Sequence, residues 1–207
     1  MKMGNILKKF IVLEGLDCSG TTTQLKMLKQ SFDESKIDSF PSMEPTDGVI
    51  GKLIRDALRK NIVLDNKTLA LLFAADRNEH IYGKNGVMEQ LKKDKWVLCD
   101  RYLFSSIAYQ SLACNRNWVV EVNDFPLPEY LFFITTTPDE CQKRMENRDK
   151  KELFEDIKLQ ESILENYNYG IDIFKKSKMK IFYIDGEESP EAINEKICKI
   201  LFSMPIK

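Results

Sequence analysis

The chain has 207 residues, of which 43% are hydrophobic and 30% charged, and its formal net charge at pH 7 is -1. This length suits one α/β domain, so we expect residues 1–207 to form a single domain. The near balance of charge argues against a nucleic-acid-binding protein, which usually shows a strong basic excess. No apolar run approaches the ~18 residues that a membrane span needs. We therefore expect a folded chain that binds neither nucleic acid nor a membrane.

The cysteines indicate a reducing compartment. Their number is odd and no two have the CxxC spacing of a zinc or redox site: Cys18, Cys99, Cys114, Cys141 and Cys198. The amino-terminal apolar run leads directly into Glu14 and is too short for a secretory signal. We expect reduced thiols and a cytoplasmic location.

Apolar runs and helical periodicity give the predicted elements in chain order. Strands are predicted over residues 10–13, 96–99, 130–134 and 180–184, and helices over 24–32, 51–60, 66–90, 138–148, 152–176 and 190–202. Short, uninterrupted apolar runs are typical of strands buried on both faces of a parallel sheet. Their alternation with helices predicts a three-layer α/β fold, a parallel sheet flanked by helices. In such sheets, ligands bind at the carboxyl ends of the strands.

A phosphate-binding loop is indicated directly after the first strand. The segment 15–23 reads GLDCSGTTT and opens a helix. It fits the pattern G-x-x-x-x-G-K-[ST] at Gly15, Gly20 and Thr22, in which backbone N–H groups and a helix amino terminus cradle phosphates. The position of the loop lysine is Thr21, which brings no charge. Two alternatives stay open: an ordinary strand–turn–helix, and a nucleotide site that binds without catalysing.

The chain resembles thymidylate kinases, which phosphorylate dTMP to dTDP with ATP. The resemblance runs in the family's order from about residue 10 to residue 167. It rests on FIVLEGLDCSGTTTQ at 10–24, EPTDG at 44–48, LLFAADR at 71–77, DRY at 100–102 with SSIAYQ at 105–110, and RMENR at 144–148. It implies a P-loop NTPase fold with a short lid near residues 143–155. It also implies ATP and Mg²⁺ as cofactors and a homodimer formed through helices.

The resemblance assigns the ATP phosphates to the loop and the lid: Gly15, Asp17, Cys18, Ser19, Gly20, Thr21, Thr22, Thr23, Arg144 and Arg148. Asp100 ends a predicted buried strand, where it can hold Mg²⁺ together with Thr22. The planar guanidinium of Arg101 can donate bidentate hydrogen bonds to the acceptor phosphate. The alternative for this Asp-Arg pair is a surface ion pair at a strand end. Catalytic roles are expected for Asp17, Asp100, Arg101 and Arg148.

The acceptor nucleotide is assigned to a further set: Asp17, Glu44, Arg55, Phe73, Arg77, Arg101, Ser106, Tyr109 and Gln110. In the resemblance Phe73 stacks on thymine, Arg77 lies near the base, and Tyr109 closes the deoxyribose side of the pocket. The alternative for Phe73 and Tyr109 is an ordinary place in the core. A buried arginine needs a partner, and Asp76 or a ligand could supply it for Arg77.

Two carboxylates keep alternative roles. Asp17 is expected to serve the acceptor's 3'-hydroxyl or a magnesium ion, or else to cap local backbone. Glu44 either positions the acceptor or ends a strand. The only histidine, His80, is expected to be structural or solvent-facing.

The sequence departs from the family pattern at several positions. Thr21 replaces the loop lysine, Cys18 stands where some members carry an arginine, and Met43 stands where many carry another. We expect Arg148, with Arg144 or a nearby lysine, to supply the missing charge from the lid, where the alternative is a solvated charged helix. The rival functions are a catalytically impaired nucleotide-binding protein and a deoxynucleoside or other nucleoside monophosphate kinase.

Overall fold

The computed structural model describes residues 5–146 and 157–203. The elements of these residues, in chain order, are β1 (Ile6–Gly15), α1 (Thr21–Glu34), β2 (Ser39–Met43), α2 (Val49–Leu58), α3 (Asn66–Tyr82), α4 (Val87–Lys92), β3 (Trp96–Asp100), α5 (Leu103–Gln110), α6 (Arg116–Val122), β4 (Leu127–Thr135), α7 (Pro138–Glu146), α8 (Ile157–Ile173), β5 (Lys180–Asp185) and α9 (Pro190–Phe202).

The five strands form one sheet in the order β2-β3-β1-β4-β5. All four neighbouring pairs run parallel, with β1 hydrogen-bonded to β3 on one side and to β4 on the other. The predicted apolar runs became β1, β3, β4 and β5. The edge strand β2 was not predicted from apolar runs, because its residues alternate in exposure and it contains Pro41, which an edge strand tolerates.

Side chains alternate across β1 and build a core on each face of the sheet. Ile11 and Leu13 pack with residues of α1 and α9, including Leu28 and Ile197. Phe10 and Val12 belong to a second cluster, to which α3 to α8 contribute. The predicted three-layer α/β fold is therefore confirmed.

One helical prediction needs correction, and one helix was missed. The pattern over 66–90 is not one helix, because the chain turns between α3 and α4. A Cβ on Gly83 would lie 2.4 Å from the carbonyl oxygen of Glu79, and one on Gly86 would lie 2.5 Å from that of His80. Helix α6 was not predicted, and it begins after Asn115, whose side chain accepts a hydrogen bond from Trp118 N at 3.2 Å. Within the described residues, no helix has both the length and the apolar character to cross a membrane.

The backbone gathers the strand ends into one place. Beyond the end of β2, Glu44 N donates to Asp100 O at 3.0 Å, and beyond β3, Arg101 N donates to Leu13 O at 2.9 Å. The segments that follow β1, β2 and β3 are therefore adjacent at the carboxyl edge of the sheet, where ligands of such sheets bind.

Candidate active site

The phosphate loop depends on two glycines. A Cβ on Gly15 would lie 2.4 Å from Ser19 Oγ and 2.8 Å from the carbonyl oxygen of Ile134, so no side chain fits there. Gly20 has a φ of 104°, in the left-handed region that glycine adopts without cost. It precedes α1 without any side-chain cap, so the first N–H groups of α1 point out of the helix as an anion site.

A cavity of about 590 Å³ lies over this loop, lined by loop residues 17–24 together with Arg101, Arg144, Glu188 and others. Among its described lining residues, the cationic side chains are Arg101 and Arg144. Thr21, at the lysine position, is only 4% exposed. The loop itself therefore contributes no cation to this cavity.

Thr22 and Asp100 form the candidate magnesium site. Thr22 Oγ1 donates to Asp100 Oδ2 at 2.5 Å, so the loop and the end of β3 are in direct contact. The other oxygen, Asp100 Oδ1, is buried and has no hydrogen-bond partner among the described residues. Mg²⁺ is usually held by one or two carboxylates together with water and substrate phosphates, which this hydroxyl–carboxylate pair fits.

Arg144 brings α7 against the loop. Its Nη2 donates to Gly186 O at 2.9 Å and its Nη1 to Cys18 O at 3.4 Å, while Nε pairs with Glu140 at 3.0 Å. The predicted lid overlaps the end of α7 and continues beyond it. Arg148, the other predicted lid cation, lies outside the described residues, as does most of the lid.

A second cavity, of about 270 Å³, lies beside the first. Every residue predicted for the acceptor lines it: Asp17, Glu44, Arg55, Phe73, Arg77, Arg101, Ser106, Tyr109 and Gln110. Helices α2, α3 and α5 and the strand ends supply these residues. Residues far apart in the sequence thus share one pocket, and their individual roles toward a nucleotide remain predictions.

The partner of Arg77 is Glu44 rather than Asp76. Arg77 is 1% exposed, and its Nε and Nη2 lie 2.8 and 2.6 Å from Glu44 Oε2. Its Nη2 also donates to Ser106 Oγ at 3.0 Å, and its Nη1 donates to Asn123 Oδ1. Nδ1 of His80, also buried, lies 2.9 Å from Glu44 Oε1. The buried guanidinium is therefore fixed at one wall of the pocket.

Asp76 instead holds the segment after β2. It accepts hydrogen bonds from Thr46 N at 2.7 Å and from Thr46 Oγ1 at 2.6 Å. Arg55 donates to the carbonyl oxygens of Pro45 and Thr46 at 2.7 and 2.6 Å, and pairs with Asp47 at 3.1 Å. The Glu-Pro segment is thus fixed from α2 and α3, which keeps Glu44 against Arg77.

Arg101 connects the strand end to the phosphate loop. Its Nη2 donates to Asp17 Oδ1 at 2.7 Å, and its Nη1 donates to Gly15 O at 3.0 Å. Nη1 also contacts two hydroxyls, Tyr167 at 3.0 Å and Ser105 at 3.2 Å. Its side chain is 19% exposed, so the guanidinium is held by the protein and still faces the cavities.

Tyr109 packs against this arginine. The centre of its ring lies 5.6 Å from the Arg101 guanidinium carbon, within the range of a cation–π contact. Burial, and then the nearby Asp17 carboxylate, raises the pKa of Tyr109 well above its usual value. The phenol therefore stays neutral at the pocket wall near pH 7.

Glu14 ends the apolar run of β1, is 0% exposed, and was not predicted as a site residue. Its Oε1 accepts from Tyr102 N at 2.8 Å and from Ser105 N at 3.2 Å. Its Oε2 accepts from Ser105 Oγ at 2.6 Å and Tyr167 OH at 3.1 Å. Burial raises the pKa of Glu14 to about 7, against the lowering effect of Arg101.

Asn123 and Tyr167 were also missed, and the sequence gives no local signal for either. Both reach the site from distant segments, and their contacts depend on how α6 and α8 pack. Glu14 did carry a signal, because a carboxylate at the end of an apolar, buried strand must be hydrogen-bonded or paired.

The two cavities meet at Asp17, Thr22 and Arg101, which line both of them. A parallel sheet that carries a phosphate loop and two adjoining cavities at its carboxyl edge defines a P-loop nucleoside monophosphate kinase. The thymidylate kinase family model matches residues 13–197. The chain belongs to the thymidylate kinase family.

Individual relatives agree with this assignment. A Treponema pallidum (strain Nichols) protein named "Putative thymidylate kinase" is 42% identical over 93% of this chain and 94% of its own length. Proteins named "Probable thymidylate kinase" from Pyrococcus abyssi and Methanocaldococcus jannaschii are 36% and 44% identical, over 93% and 81% of this chain. They are matched over 95% and 88% of their own lengths. The similarity therefore extends over nearly the whole of these proteins.

The Glu44–Arg77 pair should be essential to stability. Replacing Glu44 by Ala leaves a buried guanidinium without its counter-charge, and we expect urea denaturation to show a loss of about 3–5 kcal/mol. Asp47→Ala is the matched control on the same segment. Its side chain is 86% exposed and pairs with Arg55 at the surface, so a loss of at most ~1 kcal/mol is expected. Similar losses in both variants would contradict this account.

Proposed function

We propose that the protein transfers the γ-phosphoryl group of ATP to the phosphate of dTMP, with Mg²⁺ as cofactor, giving dTDP and ADP. The observation that carries this proposal is the junction of the two cavities. Asp17, Thr22 and Arg101 line both, so a donor phosphate over the loop and an acceptor phosphate in the second cavity would meet there. Family membership supports the choice of dTMP as acceptor.

The acceptor would lie with its base toward α3 and α5 and its phosphate at Arg101. Phe73 offers a ring face for stacking, and Arg77 and Ser106 form a fixed polar wall. Gln110 Oε1 is buried and finds no hydrogen-bond partner in the part of the chain that the structure describes, so it can accept a hydrogen bond from a base N–H. Tyr109 would limit space beside the sugar and so disfavour a 2'-hydroxyl.

The donor would place its phosphates on the N–H groups of the loop and of α1. Mg²⁺ would be held by Thr22 and Asp100, and when bound it would offset charge on the donor phosphates. Because the transferred group needs little covalent help, catalysis would be positioning and charge stabilisation. Arg101 would orient the attacking phosphate, while Arg144 and Arg148 would stabilise charge on the transferred group.

We also propose a cytoplasmic homodimer. The five cysteines are free thiols, as expected in a reducing compartment. Large apolar side chains stand exposed on α2 and α3: Val49 is 86%, Leu53 40% and Leu71 50% exposed. A second copy that covers these helices would remove this surface from water.

The activity is tested by ADP formation with ATP-Mg²⁺ and dTMP. We expect turnover that depends on dTMP, with lower rates for dUMP and dGMP. Thymidine and a reaction without acceptor serve as the controls. A higher rate with thymidine would indicate a nucleoside kinase instead. Tight nucleotide binding without turnover would favour a binding protein that has lost catalysis.

Arg144 and Thr21 are tested together in a double-mutant cycle. Arg144→Ala should lower kcat by on the order of 10²–10³-fold, the usual effect of removing one transition-state donor. A loop lysine reaches the β- and γ-phosphates. In the Arg144→Ala background, Thr21→Lys should therefore raise kcat by roughly tenfold. Thr21→Ala controls for loss of the hydroxyl. Unchanged kcat in Arg144→Ala would rule out compensation by Arg144.

The dimer is tested by sedimentation equilibrium. Leu71→Glu places a charge on the apolar surface of α3 and should convert dimers to monomers, whereas the exposed Lys26→Glu on α1 should not. A monomeric wild-type protein at micromolar concentration would contradict the proposed dimer.

A further inference from the structure

Glu14 is a buried carboxylate in contact with the acceptor-phosphate machinery, although it lines neither cavity. Its Oε1 accepts from Tyr102 N and from Ser105 N at the start of α5, where a helix leaves N–H groups for partners outside it. Helix α5 lacks a side-chain cap from its own segment, so Glu14 provides the cap from β1. The helix that carries Ser106, Tyr109 and Gln110 is therefore anchored to this carboxylate.

The other oxygen reaches Arg101 through two hydroxyls. Ser105 Oγ and Tyr167 OH both contact Glu14 Oε2, at 2.6 and 3.1 Å. Both also lie within 3.2 Å of Arg101 Nη1, which can only donate to them. The two hydroxyls lie 2.8 Å apart, so carboxylate, hydroxyls and guanidinium form one continuous network. A charge change at Arg101 therefore acts on Glu14 through two hydroxyls that lie within hydrogen-bond distance of both groups.

We propose that Glu14 belongs to the acceptor-phosphate site: it positions Arg101, and it takes up a proton when a phosphate binds to Arg101. This inference rests on the proposed binding of dTMP in the second cavity. A bound phosphate adds negative charge beside Arg101 and offsets the attraction that keeps Glu14 ionised. Like charges disfavour each other's ionised form, so the carboxyl gains affinity for a proton.

The surroundings of Glu14 make it the group in this network that can change its protonation state when a phosphate binds. Burial already raises its pKa to about 7, so a small further rise changes its charge near neutral pH. Among the described residues, Glu14 interacts with the Arg101 guanidinium and also with the Cys99 thiol of β3 and the Tyr167 phenol of α8, and burial raises the pKa of the thiol and of the phenol well above their usual values. On its other side β4 presents Phe133, which has no charge. Proton uptake by Glu14 would also reduce the negative charge at a site whose loop lacks a lysine.

The test is calorimetric titration of the whole protein with dTMP in two buffers of different ionisation enthalpy, which gives the number of protons exchanged. At pH 7.5 a phosphate monoester, with a second pKa of about 6, is almost fully ionised. If binding raises the pKa of Glu14 from about 7 to about 8, roughly half a proton is taken up per dTMP. Thymidine, which lacks the phosphate, should show no such uptake.

Glu14→Gln should bind dTMP without this uptake, while Glu89→Gln, on α4 away from the site, should keep the wild-type value. If Glu14→Gln does not fold, the wild-type protein still decides the question. Its uptake with dTMP should peak between about pH 7 and 8 and fall toward zero by pH 10, above the range in which the dTMP phosphate itself titrates.

Binding of dTMP without proton uptake, or the same uptake in Glu14→Gln, would overturn the inference and leave the proposed kinase intact. Uptake without any turnover would support the inference and contradict the kinase. No binding of dTMP at all would overturn both.

Discussion

The ion pair between Arg101 and Asp17 is the contact on which the rest of the site depends. It joins the end of β3 to the phosphate loop after β1, and both cavities lie against it. Arg101 has a φ of 67°, a conformation that costs a residue with a side chain about 1–2 kcal/mol. Its backbone bond to Leu13 O and its contacts to the loop offset that cost. The strained residue, Arg101, thus lies at the point where two phosphates would meet.

The site uses two arginines in different ways. Arg77 is enclosed by Glu44, Ser106 and Asn123, so its charge is satisfied within the protein and it serves as a fixed wall. Arg101 keeps part of its surface open to both cavities, which lets it bind a further anion. A buried pair stabilises little by itself but is costly to break. The consequence of the Glu44–Arg77 pair is that the polar wall of the pocket stays in one arrangement.

How far the sequence determines this structure depends on the range of each interaction. The strands β1, β3 and β4 were predictable because they are buried on both faces, and the loop because its glycines are required locally. The edge strand β2 was not, since its burial depends on tertiary packing, and the break between α3 and α4 was overlooked although Gly83 and Gly86 mark it locally. The residues predicted for the acceptor came from the family resemblance; they line one cavity, and their roles toward a nucleotide stay predictions. Neither partner considered for Arg77 was Glu44: the nearby Asp76 bonds to Thr46 instead, and the distant Glu44 forms the ion pair.

The missing lysine changes where positive charge comes from. In the described lining of the donor cavity, Arg101 and Arg144 stand against the carboxylates of Asp17 and Glu188, so these side chains add no net positive charge. A triphosphate over this loop would have to rely on backbone N–H groups, the metal ion and the lid. The backbone N–H groups are already held in place by the loop, whereas the metal ion and the lid would act once a nucleotide is bound. With Thr21 in place of a lysine, charge stabilisation would therefore depend more on groups assembled around the substrate, and Arg144, which donates to Cys18 O, is a described residue in position to join them.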